Sequence, residues 1–183
     1  MSRLRGLLGL LPSYLRTAWW GLASPHLAEK RPLLVVQALV ESSQGVLLAQ
    51  RQDLWGYELP GGHPRPEENC EAALVREVME ETGIEIAVED CIGEYVRSGF
   101  RPHTARVYRG RVLGGAPAPG EEARRVVWFP RDSLTAALLP WYRAPLHDAR
   151  VRRGAPVRRF QRQGFAWIGA AAAIDLRARW HEG

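Results

Sequence analysis

The run Leu33-Leu34-Val35-Val36-Gln37-Ala38-Leu39-Val40 is β-branched and almost wholly apolar. A strand with one wet face alternates apolar and polar residues, whereas a run without alternation reads as a central strand buried on both faces. Ser42-Ser43-Gln44-Gly45 then reads as a turn and Val46 to Gln50 as the returning strand of a hairpin. Tyr57-Glu58-Leu59 is a short strand running into Pro60-Gly61-Gly62. Ile84 to Val88, Cys91 to Val96, Thr104 to Val112 and Arg124 to Phe129 read as further strands, separated by Gly, Pro and charge. The implied architecture is a mixed sheet.

Helical segments interrupt the strands. Asn69 to Thr82 holds good helix formers without Pro or Gly and stops at Gly83, the residue type favoured just past a helix C-terminus. A second helix is expected to start at Pro130-Arg131-Asp132-Ser133-Leu134, and Phe165 to Trp180 again looks helical. Near the N-terminus, Leu4, Leu7, Leu8, Leu11, Leu15, Ala18 and Trp19 recur at helical spacing, with Pro12 as a break. That extension suits docking on the domain or on a second subunit better than an interfacial membrane helix, and it matches a signal peptide poorly, its apolar core being short and without a clear cleavage site. The expected organisation is an amphipathic extension over 1–30, a central domain over 31–140, and an Arg-rich, helical extension over 141–183.

Length and charge narrow the partners. The chain has 183 residues, 46% of them hydrophobic, enough for one core of its own. Cys70 and Cys91 stand alone, without the spacing of a disulfide framework or a zinc site, so a reducing, cytoplasmic setting is expected. The net charge of +5 comes almost wholly from arginine, with Lys30 the single lysine. That balance suits a phosphate-bearing ligand, although an arginine bias also arises from composition alone. Neither nucleic acid nor membrane is expected as a partner, and a homodimer is left open. The seven arginines between Arg143 and Arg162 read as a solvated face with sparse aromatic interleaving.

The helix from Asn69 carries the chemistry. Glu77, Glu80 and Glu81 lie at i, i+3 and i+4 and share one face, where like charges repel by a few tenths of a kcal/mol per pair. A hard divalent cation with oxygen ligands offsets such repulsion, and Mg²⁺ bridging carboxylates to phosphate fits the pattern. Leu74 with Val78, and Val75 with Met79, form an apolar stripe for burial against the sheet, and Arg76 stands one turn before Glu80 to hold its rotamer. Gly61 and Gly62 let the backbone come close enough for a carbonyl to reach the metal.

The spacing Gly62, Glu68, Arg76-Glu77-Val78, Glu80-Glu81, Gly83-Ile84 closely resembles the signature box of the Nudix hydrolases and meets each of its fixed positions. The approach Trp55-Gly56-Tyr57-Glu58-Leu59-Pro60-Gly61 is similar too, and the resemblance spans about Arg31 to Leu139. Arg65 and Glu67 depart from it, standing where family loops often carry Glu and Gly. The resemblance implies an α/β fold, the Nudix-type α/β/α sandwich around a mixed β-sheet, here with helical N- and C-terminal extensions. It implies pyrophosphohydrolysis of a nucleoside diphosphate linked to another moiety, with Mg²⁺, or Mn²⁺ in its place, held by Glu77, Glu80, Glu81 and the Gly61 carbonyl. Glu77 is the candidate base for a metal-activated water, with Glu80 and Arg76 beside it in the catalytic set. Outside the box, Glu122 matches the family's variable extra acid, with Glu121 as a neighbouring rival. Arg51 is a phosphate-contact candidate, and Trp55 and Tyr57 are candidates for stacking on a base. His63 and His103 share no ligand spacing. A Nudix-fold sensor that binds a nucleotide without cleaving it is the alternative, but such modules usually lose box carboxylates that this chain keeps.

Overall fold

The computed structural model describes residues 33–152 and 154–182, so the expected N-terminal helix lies outside the described residues. Eight strands form one sheet: β1 (Leu33–Ser42), β2 (Gly45–Arg51), β3 (Tyr57–Glu58), β4 (Gly61–Gly62), β5 (Ile84–Gly99), β6 (His103–Gly115), β7 (Ala123–Phe129) and β8 (Val157–Gln163). The helices are α1 (Cys70–Thr82), α2 (Arg143–Val151) and α3 (Phe165–Glu182), with a 3₁₀ turn at Pro140–Tyr142. The sheet order is β3-β2-β1-β6-β5-β8, with β4 also pairing β1 and β7 also pairing β2. It is mixed, because β1 runs parallel to β6 and β5 parallel to β8, while the other pairs are antiparallel.

β1 is the buried central strand, and its period-2 geometry divides it between two cores. Val36, Ala38 and Val40 join Leu47 and Ile86 under Ala73, Leu74 and Val78 of α1. Leu39 faces the opposite way, with Val46, Leu48, Tyr95 and Val107, against Leu146 and Ala149 of α2 and Ala171 of α3. Helices therefore cover both faces, the α/β/α arrangement. Fully burying side chains such as Leu74 and Val78 contributes about 1.5–3 kcal/mol each, enough to fix which face of α1 turns inward. Met79 departs from the expected stripe and remains 43% exposed.

β1 pairs with β2 only at Glu41↔Val46 and Ser42↔Gly45. Farther along, β4 takes the place beside β1, through Val36↔Gly62 and Gln37↔Gly61. This seats the glycine pair at the centre of the sheet, and Gly61 is required there: its φ is +150°, and a β-carbon would stand 2.0 Å from the Val36 carbonyl oxygen. The Asn69 side chain caps α1 by accepting the Ala72 N–H at 2.8 Å, and Gly83 closes the helix in the left-handed region, its N–H donating to Met79.

Three local expectations change. The two strands read at Ile84 and Cys91 are one continuous strand, with register shifts around Cys91. The helix expected from Pro130 is instead a turn, closed by Ser133 N–H to Pro130 O, and helix begins only at Arg143, where the preceding 3₁₀ turn starts on Pro140. The arginine run is divided between α2 and β8, and β8 extends the sheet beyond β5. No helix among the described residues is long and apolar enough to cross a membrane.

Candidate active site

The capped, one-sided burial of α1 sends its last turns past β4, and this brings the glutamates to the glycine pair. Glu81 turns inward: its Oε2 accepts the Gly61 N–H at 2.9 Å. Burial pushes the Glu81 carboxyl up to about 8, and the charges of Glu58, Glu77 and Glu122 push the same way against the Gly61 hydrogen bond. Three carboxylates thus act on Glu81, two of them held by arginines, Glu77 by Arg76 and Glu58 by Arg51, while Glu81 itself has only the Gly61 amide. Glu77 lies beside Gly62, where the missing side chain leaves room for its carboxyl group.

Arg76 organises the outer part of the cluster. Its guanidinium makes a two-point contact with Glu68, Nε to Oε1 at 3.0 Å and Nη2 to Oε2 at 2.8 Å. Nη1 also donates to Glu77 Oε1 at 2.9 Å and Glu80 Oε2 at 3.1 Å, and Nη2 reaches the His63 carbonyl. Hydrogen bonding to Glu68 first, then to Glu77, holds the guanidinium proton well above its ordinary value, and the same pairing brings the Glu68 carboxyl down to about 2. The expected Arg76–Glu80 contact is therefore one arm of a larger hub. Glu80 is half exposed, and Arg65, in the departing loop, reaches it at 3.4 Å. Glu67, the other departure, holds a left-handed backbone with φ of 68°, the conformation that glycine adopts more easily.

Among the described residues, no three His, Cys, Asp or Glu side chains already stand in ligating geometry. Glu77 and Glu80 are turned to Arg76 and Glu81 to the Gly61 amide. The residues nevertheless fit a hard divalent cation. The donors are oxygen, the mutual repulsion at Glu81 is the kind a cation relieves, and Gly62 leaves Glu77 free to turn.

The outer candidates separate. The 116–122 segment lies along the end of α1, with Gly120 N–H donating to Glu81 O at 3.0 Å and Ala118 N–H to Thr82 O at 2.9 Å, and this brings the exposed Glu122 near enough for its charge to act on Glu81. Glu121 is an exposed neighbour whose carbonyl accepts from Gln52. Arg51 reaches Glu58 at 3.2 Å and Asp53 at 2.7 Å, so carboxylates already hold its guanidinium. Trp55 is partly buried, with the Arg124 guanidinium 3.5 Å and that of Arg179 4.8 Å from its ring centre. Tyr57 lies in the core, edge-on to Phe129 with ring centres 4.9 Å apart. His103 sits on the Arg101 carbonyl at 2.7 Å and on Arg97 at 3.0 Å.

Two participants escaped the sequence reading. Glu58 takes Arg51 on one side and the Tyr142 hydroxyl, at 3.0 Å, on the other, and its charge acts on Glu81. Tyr142 in turn accepts from Gln37 Nε2 at 2.8 Å. The available signal was Glu58 itself, an acid on a strand ending at the glycine pair. Tyr142 gave none, because its sequence separation from Gln37 is 105.

The model of the NUDIX domain matches residues 31–149. CTP pyrophosphohydrolase of Escherichia coli is 43% identical over 117 residues, covering 58% of this chain and 82% of the relative. ADP-ribose pyrophosphatase of Methanocaldococcus jannaschii is 29% identical over 109 residues, covering 56% of this chain and 64% of the relative. In fold, the crystal structure of a NUDIX hydrolase from Nitrosomonas europaea superposes with a TM-score of 0.63 at 19% identity, over 73% of this chain and 80% of that one. With the box assembled on α1 beside the glycine pair, the chain belongs to the NUDIX domain family and is a Nudix hydrolase.

Proposed function

We propose that this chain is a Mg²⁺-dependent pyrophosphohydrolase of small nucleoside diphosphate derivatives, with Mn²⁺ able to replace Mg²⁺. The carrying observation is the seating of the box helix on the glycine pair, where Glu81 accepts the Gly61 N–H at 2.9 Å, Glu77 lies against Gly62 and Arg76 holds Glu77 and Glu80. Glu77, Glu80, Glu81 and the Gly61 carbonyl would hold the cation, with Glu122 as an outer acid. When bound, a hard divalent cation neutralises charge on a diphosphate and makes water more acidic.

The chain's own residues supply the remaining work. Glu77 removes a proton from the attacking water as its oxygen bonds to phosphorus, and the phosphoanhydride P–O bond breaks, its electron pair leaving on the departing phosphate. Arg76 keeps Glu77 and Glu80 oriented through the fork it shares with Glu68. Arg51 and Trp55 are assigned to substrate, Arg51 to a phosphate and Trp55 to a base, and substrate would compete with Asp53 and Glu58 for Arg51. Tyr57, buried in the core, would act only by supporting the strand that leads to Gly61.

A nucleoside diphosphate linked to a further group is the preferred substrate class; the methanogen relative is named for ADP-ribose and the Escherichia coli relative for CTP. The deciding experiment is a screen of ADP-ribose, dinucleotides, nucleotide sugars and nucleoside triphosphates for Mg²⁺-dependent hydrolysis, repeated with Glu80→Gln. Cleavage of ADP-ribose or a nucleotide sugar that disappears in the variant is expected. Turnover unchanged by Glu80→Gln would overturn the site, and turnover of triphosphates alone would overturn the substrate class.

A further inference from the structure

We propose that Asp175, on α3 and beyond the residues matched by the family model, is a positioning residue for the loop between β2 and β3. The proposal deepens the functional reading above, because that loop carries Trp55 and follows Arg51. Asp175 is fully buried, and a buried carboxylate is costly to keep unless its oxygens are satisfied. Its Oδ1 accepts the backbone N–H of Trp55 at 2.8 Å, across a sequence separation of 120. Arg179, one turn on, places Nε 2.8 and 2.9 Å from the two carboxylate oxygens. The same guanidinium donates to the Asp53 carbonyl at 3.0 Å and stands 4.8 Å from the Trp55 ring centre.

The anchor continues into the site. Gln50 Nε2 donates to the Trp55 carbonyl at 3.1 Å, and the Arg51 N–H reaches Gly56 O at 3.2 Å. Gln52 binds the acidic loop on the far side, its N–H to Glu122 O at 3.2 Å and its Nε2 to Glu121 O at 3.0 Å. Asp175 therefore holds, through Trp55, a loop that links the phosphate-contact candidate Arg51 to the backbone of Glu122.

Apolar packing does not by itself call for a fully buried carboxylate on this helix. The buried side chains that α3 presents, among the described residues, are Ala171 and Asp175, whereas Phe165, Leu176 and Trp180 stay exposed. Trp167, Ile168 and Ile174 are half-buried beside them, and to this packing Asp175 adds a polar tie to a backbone amide of the loop between β2 and β3. Asp175 touches none of the box glutamates, so its loss should alter substrate capture rather than the chemical step.

Asp175→Ala, Asp175→Asn and the exposed control Arg177→Ala, on the same helix, test this with ADP-ribose as probe. The expected result for Asp175→Ala is a KM raised about tenfold, with kcat within about twofold and the Mg²⁺ dependence unchanged, the pattern of lost binding rather than lost transition-state contacts. Asp175→Asn keeps an acceptor for the Trp55 amide but no charge for Arg179 and should fall between, while Arg177→Ala should match the parent. Hydrogen–deuterium exchange should quicken over residues 52–56 in Asp175→Ala and stay the same over α1. Unchanged KM with unchanged exchange at 52–56 overturns the proposal, as does a fall in kcat accompanied by faster exchange across α1. Exchange needs no turnover, so if the parent protein fails to cleave ADP-ribose, that result counts against the functional reading while the exchange comparison still decides the role of Asp175.

Discussion

Gly62 lies against the Glu77 carboxyl so closely that a β-carbon built at Gly62 would stand 2.3 Å from Glu77 Cδ. The obstructed atoms are the far end of a flexible side chain, so Gly62→Ala should fold with Glu77 displaced. A shift of about 1 Å in a reacting group can cost 10²-fold in rate, and a kcat loss of about that size is expected. Assay of Mg²⁺-dependent hydrolysis beside a thermal melt checks this; a variant that melts like the parent and turns over at the parental rate would contradict the placement of Glu77.

Arg76 needs a planar fork to serve Glu68, Glu77 and Glu80 together. Lysine retains the charge but not the fork. Arg76→Lys should lower kcat about ten- to 10²-fold with little change in urea midpoint. Equal loss of stability and activity would mean that Arg76 mainly holds the fold.

Crowding of Glu58, Glu77 and Glu122 around Glu81 predicts a link between metal and stability. Chelation with EDTA should abolish turnover, and added Mg²⁺ at 100 times its Kd should stabilise the fold by about 2.7 kcal/mol. Glu81→Gln removes a carboxyl whose ionisation the site resists up to about 8, so above pH 8 it should melt above the metal-free parent yet gain less from Mg²⁺. Calorimetric melts of both proteins, with and without Mg²⁺, decide the matter.

His103 is neutral in the fold. Burial first, then the Arg97 charge, brings its proton affinity down to about 4 from an ordinary 6.5, and its contacts suit a ring protonated at Nδ1 that accepts from Arg97. The unfolded chain takes up this proton at higher pH, so the contribution is complete above about 6.5 and is lost as pH falls toward 4. Urea midpoints at pH 7 and pH 5 should fall further for the parent than for His103→Gln. Parallel falls would remove His103 from the acid response.

Glu67 occupies a left-handed conformation with φ of 68°. Such a residue costs about 1–2 kcal/mol, part of which is offset in Glu67→Gly by the greater freedom of glycine in the unfolded chain. A net gain of about 0.5–1 kcal/mol in a denaturant titration is expected, and a destabilised variant would show that the Glu67 side chain contributes more than its backbone costs.

What could be read in advance was what depends on neighbours in sequence. The capped helix from Asn69 to Gly83 and the all-apolar β1 need only local periodicity and turn chemistry to be recognised, and the spacing of Glu77, Glu80 and Glu81 follows from helix geometry. Tyr57 looked the same in sequence whether it met a base or Phe129, and only its neighbours in space decided for the core. The helix expected from Pro130 failed for the same reason: local formers were present, but the chain there turns along the sheet edge before Pro140 starts the next helix.

The sequence by itself determined the reaction-bearing helix, the family and the oxygen-rich character of the site, because these are written in spacings of one to a few residues. Tertiary structure decided who shares the site with that helix. The replacement of β2 by β4 beside β1 brings Glu58, Tyr142 and Gln37 together, and α3 returns from the end of the chain to bind the Trp55 amide through Asp175. These partners meet only after the sheet has closed, and polar groups must then find one another across 84 to 120 residues, a requirement that leaves no periodic trace in sequence.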